Sequence, residues 1–172
     1  MISDILRHGL RFLILVLVQG LVLKNMELGP YVNPFLYVLF IIQLPFELPA
    51  WIALIVCFVT GISVDVFYNT MGMHAAVCTF IGFMRPALLR FMSPRDGYES
   101  AMQPNMQMMG RLWFISFSGI IVLIHHFMRF MLEVFSFHDF FWTLLRIVLS
   151  SAATMIFLLV TQLLFYRNKA AE

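Results

Sequence analysis

The sequence predicts an all-α integral membrane protein, a bundle of six transmembrane helices that forms a single transmembrane domain over residues 1–172. Of the 172 residues, 62% are hydrophobic and 12% are charged, whereas an ordinary soluble domain carries about a quarter charged residues. The apolar residues fall into six runs. Because one helical crossing needs roughly 20 apolar residues, these runs leave no room for a separate soluble domain.

The apolar runs set the expected helix boundaries. We predict helices at about 5–23, 31–46, 48–67, 72–91, 111–133 and 140–166. Proline, glycine and asparagine separate the runs, as at Gly29-Pro30 and at Pro45 and Pro49, and such residues favour turns. The second run is the shortest, so a bundle of five crossings is the alternative.

Basic residues distinguish the two topologies, because cytoplasmic loops are enriched in Lys and Arg. With six crossings and an internal N-terminus, the inner side collects seven basic residues, namely Arg7, Arg11, Arg90, Arg95, Arg111, Arg167 and Lys169. The outer loops then hold only Lys24. Five crossings would scatter the basic residues over both faces, so we favour six crossings with both termini in the cytoplasm.

Several classes of function are disfavoured by composition and motifs. A net charge of +2 without a basic run is not typical of a nucleic-acid binder. Cys57 and Cys78 lie within apolar runs, where a thiol acts as a small hydrophobe. His125 and His126 point roughly 100° apart on a helix, and no Cys or acid completes a ligand set. We therefore expect no catalytic residue, no cofactor and no metal.

The third helix carries a stripe of small residues that ends in an acid. Ala53, Cys57, Gly61 and Asp65 follow one another at four-residue spacing, which places them along one helix face and lets another helix approach closely. Asp65 and His74 lie on either side of a tight turn. They form a polar clasp, an ion site, part of a partner surface, or a structural cap on the hairpin. An intramembrane enzyme using the pair lacks an identifiable nucleophile.

Four more charged residues are candidates for structure or partner binding. The turn Leu44–Pro49 is rigid because each proline fixes its φ, and it holds Glu47 at the inner interface. Arg85 lies in the inner half of the membrane, five residues before Arg90. We expect Arg85 to pair with Glu47, or to snorkel without a partner. Arg146 is expected to face the bundle interior.

Residues 44–99 resemble MreD, the membrane subunit of the rod-shape-determining machinery of bacterial cell-wall elongation. The matching residues are Leu44-Pro45-Phe46-Glu47-Leu48-Pro49, Gly61 with Asp65 and Phe67, Thr70-Met71-Gly72-Met73-His74-Ala75-Ala76, Arg85-Pro86 with Leu89-Arg90, and Ser93-Pro94-Arg95-Asp96-Gly97-Tyr98-Glu99. Outside this block the similarity is one of length and hydropathy.

The resemblance implies a small six-helix protein of the bacterial cytoplasmic (inner) membrane, similar in fold to the substrate-binding subunits of energy-coupling-factor transporters. It implies a non-catalytic subunit that binds MreC, a single-span membrane protein, and through it joins MreB, RodA and a class B penicillin-binding protein. The structural or partner-binding candidates are Glu47, Gly61, Asp65, His74, Arg85, Arg90 and Arg146. The alternative is a small-solute-binding membrane subunit of a transporter.

Overall fold

A computed structural model of the chain describes residues 2–26, 28–95, 97–98, 102–134 and 140–165. This part is all-helical and contains no strand. Its helices are α1 (Ile2–Leu17), α2 (Val38–Ile42), α3 (Ala50–Tyr68), α4 (Met73–Phe91), α5 (Met106–Met109), α6 (Arg111–Val134) and α7 (Phe140–Phe165). Asp96, Glu99, Arg167, Lys169 and the helix end predicted at residue 166 lie outside the described residues.

Four segments of the described chain are long and apolar enough to cross a membrane. They are Leu6–Asn25, Ala50–Tyr68, Arg111–Val134 and Phe140–Leu164. Large apolar side chains on these segments are exposed, including Val66 and Leu112, as expected for surfaces in contact with lipid. The prediction of an all-α fold is therefore confirmed for the described residues, and four such helices are consistent with a multi-pass membrane protein. The predicted crossings 31–46 and 72–91 are not among the four segments.

The helix predicted over 31–46 is wrong in extent, because only Val38–Ile42 is α-helical. Pro34 and Pro45 bias the residues before them away from helical backbone, so the helix is confined between the two prolines. The residues that lead into it, 32–35, form no regular structure. None of residues 35–44 is more than 7% exposed. Residues 35–44 thus lie in the core of the bundle. We call residues 31–44 the central segment.

The central segment begins beside the N-terminal half of α7. The ring of Tyr31 stacks on that of Trp142, with centroids 5.6 Å apart. The Ser150 hydroxyl donates to the Tyr31 carbonyl at 3.1 Å and accepts from the Asn33 N–H at 3.0 Å. These contacts fix where the chain enters the bundle.

The central segment ends beside the C-terminal half of α7 and the C-terminal half of α4. Gln43 lines a cavity together with Gln162 of α7. The Leu44 carbonyl accepts a hydrogen bond from the Arg85 guanidinium of α4. The segment therefore runs through the bundle from one end to the other.

The two ends of the bundle differ in charge. Trp113 Nε1 at the start of α6 donates to the Met92 carbonyl just after α4, at 3.0 Å. The Met106 N–H of α5 donates to Gln162 Oε1 of α7, at 3.4 Å. We call this the basic end, because these contacts gather near it the described arginines Arg7, Arg11, Arg90, Arg95 and Arg111.

The opposite end contains the tight turn between α3 and α4, and we call it the hairpin end. Asn69 there has a left-handed backbone (φ 54°), and so does Gly72 (φ 83°), which lets the chain reverse within a few residues. Lys24 donates to the Phe67 carbonyl at 2.5 Å. Lys24 therefore lies at the opposite end of the bundle from the five arginines of the basic end.

Helices α3 and α4 pack through the small-residue stripe. A Cβ placed on Gly61 would lie 2.3 Å from the Ala75 Cα, and one on Gly82 would lie 2.9 Å from the Cys57 Sγ. Ala53 and Cys57 are buried. The two backbones approach too closely at Gly61 for any side chain, so glycine at this position determines the geometry of the hairpin.

We expect Gly61→Ala to destabilise the protein by about 1–3 kcal/mol, because its methyl group would overlap the α4 backbone, and Gly61→Leu to destabilise it further. The measurement is the thermal unfolding midpoint in detergent. Gly119→Ala is the matched control, since a Cβ there meets nothing within 4 Å and alanine favours helix. A Gly61→Leu protein that unfolds at the wild-type midpoint would contradict this packing.

Candidate functional site

Asp65 caps the N-terminus of α4 across the hairpin turn. Its Oδ1 accepts from the His74 N–H at 3.0 Å, and its Oδ2 accepts from the Ala75 N–H at 2.9 Å. The Thr70 hydroxyl donates to the same carboxylate. The first N–H groups of a helix have no partner within the helix, and an acid suits the positive end of its dipole. Of the alternatives for Asp65, the structure therefore shows the hairpin cap.

The His74 ring extends this cap into the bundle. Its Nδ1 lies 3.0 Å from Asp65 Oδ1, and its Nε2 lies 3.3 Å from Arg129 Nε of α6. A guanidinium N–H can only donate, so His74 Nε2 accepts and Nδ1 carries the proton that points to Asp65. His74 is fully buried, and its two neighbours thus select one neutral tautomer.

Glu133 joins the two arginines at the hairpin end. One carboxylate oxygen binds Arg129, and the other lies 3.1 Å from Arg146 Nη1. The Arg146 guanidinium also lies 4.5 Å from the centre of the Phe130 ring, so the expectation that Arg146 faces inward agrees with its contacts. We call Asp65, His74, Arg129, Glu133 and Arg146 the hairpin-end network. Its two acids balance its two arginines, which lowers the cost of burying charge.

Phe35 of the central segment occupies the middle of this region. Its ring centre lies 5.6 Å from that of His74 and 5.3 Å from those of His125 and His126. It also contacts the rings of Tyr37, Tyr68 and Phe130. The space between α4, α6 and the central segment is therefore filled by aromatic side chains.

The adjacent histidines of α6 form hydrogen bonds with the central segment, His125 directly and His126 through Thr154. The Phe35 N–H donates to Thr154 Oγ1 at 3.0 Å, and that hydroxyl lies 3.1 Å from His126 Nε2. His125 Nε2 lies 2.5 Å from the Tyr37 hydroxyl. As their angular separation predicted, the two rings face different partners. Among the described residues, no group of three or more His, Cys, Asp and Glu side chains is placed to hold a metal ion.

Gln19 gives the central segment another polar contact, in a π-helical turn (Val18–Val22) that continues α1. Its Nε2 donates to the Pro34 carbonyl at 3.1 Å and to the Tyr68 hydroxyl at 2.6 Å. Gln19 is fully buried. Sequence reasoning did not find this residue, although a lone glutamine within an apolar run signals a buried hydrogen bond.

The predicted ion pair between Glu47 and Arg85 is wrong. Arg85 is buried and its guanidinium binds the carbonyls of Leu44 and Pro45, whereas Glu47 is exposed and forms no ion pair with it. The last carbonyls of a helix lack partners and carry partial negative charge. The carbonyls that follow α2 therefore accept the hydrogen bonds of Arg85, in place of the predicted Glu47 carboxylate.

The remaining candidate, Arg90, is exposed at the basic end. It lines a groove of about 490 Å³ together with Arg85, Phe46 and Tyr98. The rings of Phe46 and Tyr98 stack with centroids 4.2 Å apart. Glu47 and Arg90 therefore lie at the surface of the basic end, apart from the hairpin-end network that joins Asp65, His74 and Arg146.

Comparisons with known proteins assign no family to the chain. No protein-family model matches it, and neither does a curated protein or a solved structure. The function proposed below therefore depends on the contacts of the described residues and on the residues that resemble MreD.

Replacing Asp65 is expected to loosen the hairpin. Asp65→Ala leaves two helix N–H groups and the His74 ring without their acceptor, and we expect a loss of about 1–2 kcal/mol. Asp65→Asn keeps one acceptor oxygen, so its stability should lie between those of the wild type and Asp65→Ala. The measurement is unfolding in detergent, with Ser63→Ala as the control, because Ser63 only donates to a carbonyl of its own helix. Equal stability of Asp65→Ala and the control would refute the capping role.

Proposed function

We propose that this chain is a non-catalytic membrane subunit of the bacterial cell-wall elongation machinery, resembling MreD, that binds an MreC-like single-span protein and supports rod shape. The observation that carries the proposal is the way in which the matching residues meet in space. Gly61 packs on Ala75. Asp65 accepts hydrogen bonds from Thr70 and from His74. The resemblance thus covers one structural unit, the α3–α4 hairpin with its flanking turns.

The same holds for the motifs at the basic end. Arg85 binds the carbonyls of Leu44 and Pro45, some 40 residues earlier in the chain. The Tyr98 hydroxyl donates to the Leu89 carbonyl at 2.9 Å. Motif residues far apart in sequence therefore support one another, as expected if they specify a shared hairpin rather than isolated turns.

Six crossings follow if α4 and the central segment span the membrane beside the four apolar helices. An irregular backbone is tolerated at membrane depth only where protein surrounds it, and residues 35–44 are buried. Part extended and part helical, the central segment has a reach of about 30 Å, which equals the thickness of the hydrocarbon core. We propose a fold like that of energy-coupling-factor substrate-binding subunits, in the cytoplasmic membrane with both termini in the cytoplasm.

A shallow groove between α3 and α4 is the proposed partner surface. It has a volume of about 630 Å³ and is lined by small, aliphatic and aromatic residues, namely Leu54, Phe58, Ile62, Gly72, Ala75, Ala76, Thr79, Phe80 and Phe83. Phe58 and Phe83 are exposed. Helices associate in lipid by close packing over small residues, so this groove suits one transmembrane helix of a partner.

A scaffold role also agrees with how the interior is used. The charged side chains of the hairpin-end network bind one another. Phe35 fills the space beside them. At the hairpin end the polar groups are thus turned toward one another, whereas a solute-binding subunit needs polar groups turned toward a ligand. MreB, RodA and the penicillin-binding protein are proposed as indirect partners, reached through the single-span protein.

The proposal is tested by purifying the protein from rod-shaped bacteria with its MreC-like partner. We expect the wild type to retain the partner and Ala76→Trp to retain about tenfold less of it, because tryptophan fills the groove. Depletion of the protein should make the cells round. Ala152→Trp is the matched control, an exposed alanine on α7. Equal retention by both variants would reject the groove. A wild type that retains no single-span partner but binds a small solute tightly would reject the scaffold role.

A further inference from the structure

A second cavity, of about 370 Å³, lies at the basic end between α1, the central segment and α7. It is separate from the α3–α4 groove and from the hairpin-end network. Its lining combines two arginines of α1 with three glutamines, Gln43, Gln103 and Gln162, and with Thr161 and apolar side chains. This mixture distinguishes it from the apolar groove proposed for a partner helix.

The basic side of the cavity comes from one face of α1. Arg7 and Arg11 are four residues apart, so their side chains lie on the same face of the helix. Guanidinium groups bind phosphate through paired hydrogen bonds, and two of them on one wall favour an anion.

Two of these glutamines, Gln43 and Gln162, add buried donors to the same cavity. Gln43 is 4% exposed and Gln162 is 2% exposed, and the Nε2 atom of each has no hydrogen-bond partner among the described residues. An unpaired buried amide costs free energy comparable to a lost hydrogen bond. Both amides can donate, so an oxygen-rich ligand would satisfy them.

The cavity also opens toward the lipid-facing side of α1. Leu10 and Ile14 line it and are 59% and 47% exposed. They follow Arg7 and Arg11 along the same helix, in the direction of the hydrocarbon core. A ligand can therefore place a charged group between the arginines and glutamines and an alkyl chain along the leucine and isoleucine.

We propose that this cavity binds a membrane lipid with an anionic phosphate headgroup, taken from the leaflet at the basic end. The phosphate accepts from Arg7, Arg11 and the two glutamine amides, and an acyl chain covers Leu10 and Ile14. This inference does not depend on the partner proposed above, because it concerns a different surface of the bundle.

The binding test uses dioleoylphosphatidylglycerol added to delipidated protein in detergent and measured by native mass spectrometry. Dioleoylphosphatidylcholine has the same chains and no net charge, and we expect it to bind at least about tenfold more weakly. Each of Arg7→Ala and Arg11→Ala should weaken phosphatidylglycerol binding about fivefold. Arg111→Ala, at an exposed arginine of the same end, should leave binding unchanged. Equal binding of the two lipids, or an equal effect of all three variants, overturns the proposal.

Two further arms separate the ligand from its alternatives. Inorganic phosphate at millimolar concentration should not displace the lipid, and full displacement would assign the site to free phosphate instead. Gln43→Met keeps the length of the side chain but removes its unpaired amide. It should weaken lipid binding while leaving the unfolding midpoint of the lipid-free protein unchanged or higher. A lower midpoint with unchanged lipid binding would make Gln43 structural and overturn its assigned role.

Discussion

The polar main-chain groups of the central segment must find partners inside the bundle, and four buried side chains of neighbouring elements meet this requirement. Main-chain groups of Asn33, Pro34, Phe35 and Leu44 lie outside the helix of this segment, so side chains of neighbouring elements bind them. The partners are Gln19 of the π-helical turn, Arg85 of α4, and Ser150 and Thr154 of α7. In a membrane an unsatisfied N–H or C=O group costs several kcal/mol. Ser150 and Thr154 of α7 are one helical turn apart, and they accept from the N–H groups of Asn33 and Phe35.

The hairpin-end network is built against the same segment. Phe35 contacts the rings of His74 and both α6 histidines, so the segment sets the position of the side chains that join α4 to α6. Gly61 brings α3 against α4, and Asp65 then reaches the first turn of α4. Backbone packing and electrostatics therefore act together, because the carboxylate reaches its N–H donors only when the two helices are in close contact.

Apolar runs predicted the long helices well. The expected 48–67, 72–91 and 111–133 differ by at most two residues at either end from Ala50–Tyr68, Met73–Phe91 and Arg111–Val134, since burial and lipid exposure both demand apolar residues. The central segment was misjudged because hydropathy does not distinguish a helix from irregular backbone, although its prolines signalled the interruption. Asp65 and His74 were paired correctly from their nine-residue spacing across a turn. The contact between Arg129 and His74 was not predicted, because the two residues are 55 positions apart. Arg85 was predicted to pair with an acid, because the sequence does not show which main-chain carbonyls are available as acceptors.

The central claim is that residues 31–44 cross the bundle from end to end, so that the chain emerges on opposite faces of the membrane. Leu28→Cys and Glu47→Cys, both at exposed positions, test it with a membrane-impermeant maleimide on intact cells. The native Cys57 and Cys78 are fully buried, so the wild-type chain serves as the unlabelled background. We expect residue 28 to be labelled from outside and residue 47 only after the membrane is opened. Labelling of both positions from the same side would show that the segment enters and leaves at one face, and the account would be wrong.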